Sequence, residues 1–140
     1  MIMIHINGID REATPEEEAQ ILADQAADIP EQAKRRIYTG FDAALNAPVT
    51  YNGATFDNRT DSRSDINGVI TQITNGMTLP VDFAWRDANN VDHVFTLVDL
   101  QGLATEMFSN QWAAHYQKRV LLAQLEAATT PEEYEAIQWS

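Results

Sequence analysis

Hydrophobic positions along the chain follow two periods, and where one gives way to the other marks the elements. Ile2, Ile4 and Ile6 alternate with Met3 and His5 before Asn7-Gly8, which reads as a strand ending in a turn. Thr14-Pro15-Glu16-Glu17 reads as a helix start, with Thr14 as cap, Pro15 in the first helical position and Glu17 reaching back. A weakly apolar helical pattern covers 16–28. Pro30 predicts a break, and a second helix is expected over 31–45. Tyr51 and Phe56 flank Asn52-Gly53 in a hairpin over 49–56.

The stretch 61–75 places Ile66, Val69, Ile70 and Ile73 at helical spacing, with Asp61 or Ser62 as the expected cap. A second hairpin is predicted from alternating residues in 81–85 and 91–97, with its turn at 86–90. Asp99 is expected to cap the longest helix, over 100–127. Its apolar stripe is Leu100, Leu103, Met107, Phe108, Trp112, Leu121, Leu122 and Leu125. At 1.5 Å per residue such a helix spans about 40 Å, so one end is expected to project or to pack against a partner. Thr130-Pro131-Glu132-Glu133 repeats the first capping signature before a short closing helix that ends near Ile137 and Trp139.

These elements predict an α+β fold: a small antiparallel sheet of two hairpins, packed on the mid-chain helix and the long C-terminal helix. Residues 1–47 read as an N-terminal strand and acidic helical appendage, and residues 48–140 as the α+β domain.

Charge narrows the function classes. The 140 residues carry 9 Lys+Arg against 21 Asp+Glu, a formal net charge of −12, and no Cys. Such a surface argues against nucleic acid or an anionic membrane as a partner. Without cysteine there is no disulfide framework, thiolate zinc site or thiol nucleophile. No run approaches the roughly 20 apolar residues of a membrane span, and residues 1–6 lack the basic flank of an export signal, so synthesis in a cytoplasm is expected. Lys34-Arg35-Arg36 is the one basic cluster, and it reads as a solvated helix face pairing with neighbouring glutamates.

Candidate chemistry is sparse. His5, His93 and His115 lie far apart and form no metal-ligand spacing. The oxygen-rich segment 57–65 fails the EF-hand pattern. Counted from Asp57, the third position is Arg59, the sixth is Ser62 and the twelfth is Gly68. It reads instead as a polar loop entering a helix, and the acids of 87–92 read as a hairpin tip. There is no phosphate-binding glycine loop and no nucleophile elbow. Catalytic, metal and cofactor residues are therefore expected to be none. Core packing is expected for Trp85 and Trp112. Trp139 either docks on the body or meets another chain, and with Tyr134, Ile2 and Ile4 it makes up the candidate interface set.

The stretch from Tyr51 to Trp139 resembles a domain family of unknown function found in tailed-phage and prophage proteins. The likeness rests on the Tyr51–Phe56 hairpin, on Asp61-Ser62-Arg63-Ser64 opening a helix with Ile66, Gly68 and Ile70, and on the aromatic strand ending at Trp85. It continues through Thr96-Leu97 and the long helix to the closing run from Ala127 to Ile137 with Trp139. The resemblance implies a non-enzymatic tail or baseplate protein of the virion. Its partners would be other tail or fibre subunits, with room for an oligomer in the particle. A tail-fibre assembly chaperone is the alternative it implies. A small metal-dependent enzyme using His93, Asp82 or Asp92 is a third reading, from another class.

Overall fold

The computed structural model describes residues 3–140. Its elements are β1 (Met3–Ile6), β2 (Ile9–Glu12), α1 (Pro15–Leu45), β3 (Val49–Tyr51), β4 (Ala54–Phe56), α2 (Thr60–Thr74), β5 (Ala84–Arg86), β6 (Asp92–Val94), α3 (Leu97–Ala127) and α4 (Pro131–Glu135). The fold is mixed helix and strand. The strands form three separate two-stranded antiparallel sheets rather than one sheet of two hairpins.

Turn chemistry sets each pair. Asn52 and Gly53 both adopt positive φ (49° and 78°), the left-handed pair that a two-residue hairpin turn needs and that Asn-Gly tolerates best. Val49 then faces Phe56, and Tyr51 faces Ala54. The same turn at Asn7-Gly8 makes the expected N-terminal strand a hairpin, with Ile4 opposite Arg11. In the third hairpin the strands are three residues each. Residues 81 and 82 form a turn instead of continuing β5, closed by Phe83 N–H donating to the Pro80 carbonyl (3.1 Å). Ala88 N–H donates to the Thr55 carbonyl (2.8 Å), which ties the third hairpin to the second by a single bond in place of a ladder.

Helix signals were legible with shifts of a few residues. At α1, Glu17 N–H donates to Thr14 Oγ1 (3.2 Å) and Thr14 N–H donates to a Glu17 carboxylate oxygen (3.2 Å), a reciprocal capping box. At α4, Glu133 N–H donates to Thr130 Oγ1 (3.2 Å). The long helix starts at Leu97, and its cap is Thr96. Asp99 is the returning acid, with Thr96 N–H donating to its carboxylate (2.9 Å). At α2 neither expected cap serves. Arg59 precedes the helix without a side-chain cap bond, and Asp61 lies inside the first turn, where its carboxylate accepts Ser62 N–H (2.9 Å). That helix closes with Met77 N–H on the Gln72 carbonyl and Gly76 N–H on the Ile73 carbonyl, a Schellman ending.

Pro30 does not break the chain. It lies within the continuous 31-residue α1. One proline removes a single i→i−4 bond at a cost of about 3 kcal/mol, which alanine-rich turns before it and the burial of Ala33 and Ile37 after it can offset.

The residues fall into two compact units. One comprises Tyr38–Val120. The other is built from both ends of the chain, the part through Ile37 together with Leu121–Ser140. The sequence boundary at 47/48 separates neither.

In the Tyr38–Val120 unit, Val49, Phe56, Ile66, Phe95, Leu100, Leu103 and Met107 form the core, with Trp85 packed partly buried against it. Phe95 sits at 5.5 Å and 55° to Phe56, a tilted aromatic pair. Tyr51 lies against Gly102 and donates its hydroxyl to Asp99 (2.9 Å). Arg63, 8% exposed, donates to the Leu45 carbonyl (3.0 Å), to the Asn58 carbonyl and to Thr60 Oγ1 (3.2 Å). Asn110 donates to the Ala44 carbonyl (2.9 Å). The last turn of α1, which has no basic residue of its own, thus has its orphan carbonyls satisfied from α2 and α3.

In the other unit, Ile37, Leu121, Ala128 and Ile137 form a small core against which Leu122, Leu125, Tyr134 and Trp139 pack. The basic cluster is not a uniformly solvated face. Arg36 is part-buried and donates to the carbonyls of Tyr134 (2.8 Å) and Ile137 (3.3 Å), while Lys34 and Arg35 are exposed and Arg35 pairs with an aspartate, Asp28 (3.9 Å), rather than with a glutamate. A partner almost a hundred residues away leaves no mark on local spacing.

Three outcomes follow for stability. A Cβ at Gly102 would lie 2.5 Å from Tyr51 Cε2, so Gly102→Ala should destabilise by about 1–3 kcal/mol despite a gain of up to about 1 kcal/mol in helix propensity. Urea unfolding should show the loss shrinking when Tyr51→Ala is added. Arg63→Met should cost about 2–3 kcal/mol through the charged donor bonds it removes, with Arg63→Lys recovering only part, by the same measurement. The Glu17 carboxyl is held down to about 2, first by the hydrogen bond from the Arg11 guanidinium and then by Thr14 N–H. Because its folded value lies below the unfolded one, its stabilising effect is full above the ordinary carboxylate range and is lost as pH falls toward about 2. Carbon-13 titration should place the Glu17 midpoint there, and Arg11→Ala should move it upward.

Candidate interaction surface

Helix α3 has apolar residues on opposite sides. Leu100, Leu103, Met107 and Ala114 recur at intervals of three, four and seven and are buried against the core. Phe108, Trp112, Tyr116 and Val120 recur every four residues and climb the other side. They are 64%, 60%, 59% and 38% exposed. The sequence reading merged Phe108 and Trp112 with the core stripe and expected Trp112 inside. The structure places both outside, because one helix cannot turn positions 107, 108 and 112 toward the same neighbour. What could have shown it is the arithmetic of two ridges, one spaced near 3.5 and one spaced at 4.

Around that stripe the exposed positions are Thr105, Ser109 and Ala113, with Glu106 at one end and Arg119 at the other. Among the described residues neither of these two charges has an ion-pair partner within 4.0 Å. Between Glu106 and Glu126 the sequence has no Asp or Glu, the longest acid-free run on this helix of a chain at −12. Behind the face, Lys118 lies 4.0 Å from the centre of the Phe41 ring, and His115 packs edge-on to the same ring at 4.9 Å. Those contacts fix the helix under the exposed aromatics. A rigid backbone presenting aromatic rings in a charge-poor strip is the composition of a protein contact.

The earlier candidates are distributed differently. Tyr134 and Trp139 are half-buried and pack within their own unit, Trp139 docking on its small core. Ile4 is half-buried in β1, and Ile2 lies outside the described residues.

The histidine and acid candidates are also separated. His93 Nε2 sits 2.7 Å from Asp87, not from Asp82 or Asp92. Asp87, 7% exposed, also accepts the N–H groups of Asn89 (2.8 Å) and Val91 (3.0 Å). The His93 hydrogen bond and then the Val91 N–H hold its carboxyl below the usual range. Asp92 is taken by Arg86 across the hairpin (2.9 Å and 3.2 Å), which lowers its carboxyl as well. These contacts pin a hairpin tip. His5 pairs with Asp10 (2.6 Å) at the surface.

In the 57–65 loop, Asp57 pairs with Arg59 (3.7 Å) and Arg63 turns inward. Among the described residues no group of three or more His, Asp or Glu side chains could hold a metal ion. Among them, too, no helix is long and apolar enough to cross a membrane.

No curated protein and no solved structure matches the chain. A protein-family profile does match, over residues 18–138, and it covers α1 from residue 18 onward, the second and third hairpins and the whole of α3 with its stripe. The chain therefore belongs to the family described as Domain of unknown function (DUF4376).

Proposed function

We propose that this protein is a non-enzymatic structural subunit of a phage tail or baseplate, working through contacts with other protein subunits. The observation that carries the contact part is the exposed ridge of Phe108, Trp112 and Tyr116 on a helix whose opposite side is locked into the core. A large aromatic left mostly in water on a rigid element is typical of a binding anchor. The phage setting rests on the likeness of the Tyr51–Trp139 stretch to tailed-phage and prophage domains. Of the three groups named for an enzyme reading, His93 is bonded to Asp87 and Asp92 to Arg86 across a hairpin tip.

A second reading, a tail-fibre assembly chaperone, is favoured by one observation. The first turn of α1 carries Glu16, Glu17 and Glu18, and most of that helix through Asp28 is exposed, a surface suited to keeping a folding factor soluble on a basic client.

Mass spectrometry of purified particles separates the two. A structural subunit is present at a fixed ratio to the other tail proteins, and its absence from particles would sink that reading. A chaperone is absent from particles and raises the soluble yield of a co-expressed fibre.

A further inference from the structure

We propose that the α3 ridge is the seat of a second copy of this chain, packed antiparallel about a two-fold axis near Trp112 and Ala113. This names the partner of the surface on which the proposed function rests.

Charge selects the partner. The chain carries −12, and most of its surface would repel a second copy. The acid-free run from 107 to 125 is where two copies can approach without setting carboxylate against carboxylate. Its charges, Lys118 and Arg119, stand at one end, and Glu106 stands at the other. A basic partner would be repelled at the Arg119 end, Lys118 being turned to the Phe41 ring behind the face.

Direction follows from the same ends. Parallel packing sets Arg119 beside Arg119 and Glu106 beside Glu106. Antiparallel packing brings the Arg119 end of each helix level with the Glu106 end of the other, so opposite charges share a level at both ends of the contact.

Side-chain size agrees with that direction. With the axis between Trp112 and Ala113, the small Ser109 of one copy is level with Tyr116 of the other, and Thr105 is level with Val120. The two Trp112 rings meet beside the axis, each next to the small Ala113. Large residues thus lie level with small ones, the pattern that lets two helices approach closely. Phe108 comes near the Arg119 level of the other copy, where a guanidinium can lie over its ring.

Area sets the strength. An aromatic side chain buries about 150–250 Å² in full, so three that are some 60% exposed, with Val120 and the small residues between, offer roughly 500–600 Å² per copy. Two copies together reach roughly 1,000–1,200 Å², the lower end of specific interfaces, and a micromolar dimer is expected.

The test uses the whole chain and two readouts. In analytical ultracentrifugation the unaltered protein should be dimeric at about 100 µM, and Trp112→Glu should be monomeric with an unchanged melting temperature. A chain that stays monomeric at that concentration, or a Trp112→Glu variant that still dimerises, overturns the proposal.

Direction is read by crosslinking, since the chain has no cysteine of its own. A mixture of Ser109→Cys and Tyr116→Cys proteins should oxidise mainly to the mixed disulfide. Dominant Ser109→Cys homodimers would indicate parallel packing and overturn the antiparallel arrangement. Failure here is distinct from failure of the virion reading: a monomer found in particles overturns only the second copy, and a dimer missing from particles overturns only the virion role.

Discussion

The guanidinium of Arg63 is the contact on which the larger unit most depends. It is a charged group almost wholly removed from water, and it is satisfied by the Leu45 and Asn58 carbonyls and the Thr60 hydroxyl rather than by a carboxylate. Removing a cation from water costs several kcal/mol, so its bonds must be well made to break even. Here they are well made because the carbonyl at the end of α1 carries the partial negative charge of the helix dipole and has no intrahelical donor. One side chain thereby fixes the end of α1, the entry to α2 and the loop after the second hairpin. Asn110 secures the same helix end from α3. Arg36 does the equivalent at the end of the short closing helix. Both compact units thus close on an arginine bound to carbonyls at a helix end.

With those ends held, α3 has little freedom to rotate about its axis. Leu100, Leu103 and Met107 are committed to the core, Gly102 admits the Tyr51 ring, and Phe41 holds the helix through His115 and Lys118. The aromatic ridge is exposed for that reason. Turning α3 to bury Phe108 and Trp112 would expel side chains already packed in the core of the Tyr38–Val120 unit.

Local chemistry was legible in the sequence wherever it was self-contained. The Asn52-Gly53 turn, the two Thr-Pro-Glu-Glu caps and the periodic apolar runs marked the second hairpin, the start of α1, and α2, α3 and α4 within a few residues, because each is decided by neighbours along the chain. What stayed hidden depends on distant partners. Arg63 read only as part of a polar loop entering a helix and Arg36 as part of a solvated face, since only the folded chain brings helix-end carbonyls to them. Pro30 looked like a stop, although burial beyond it carries α1 onward. The surface was half visible: Phe108 and Trp112 were noticed, but both were assigned to the core because the two ridges of α3 overlap in a simple count of apolar positions.

The unit built from both chain ends has a consequence for the order of events during synthesis. Ile37 cannot meet Leu121 or Ile137 until the intervening residues have been made, whereas the Tyr38–Val120 unit has all its partners once Val120 has emerged. Arg36 and Ile37 therefore wait, without their eventual neighbours, for most of translation. The first hairpin and the capping box that precede them need no such delay, because their partners lie within a few residues. The stretch of α1 around Arg36 and Ile37 is thus the last part of the fold to find what it packs against.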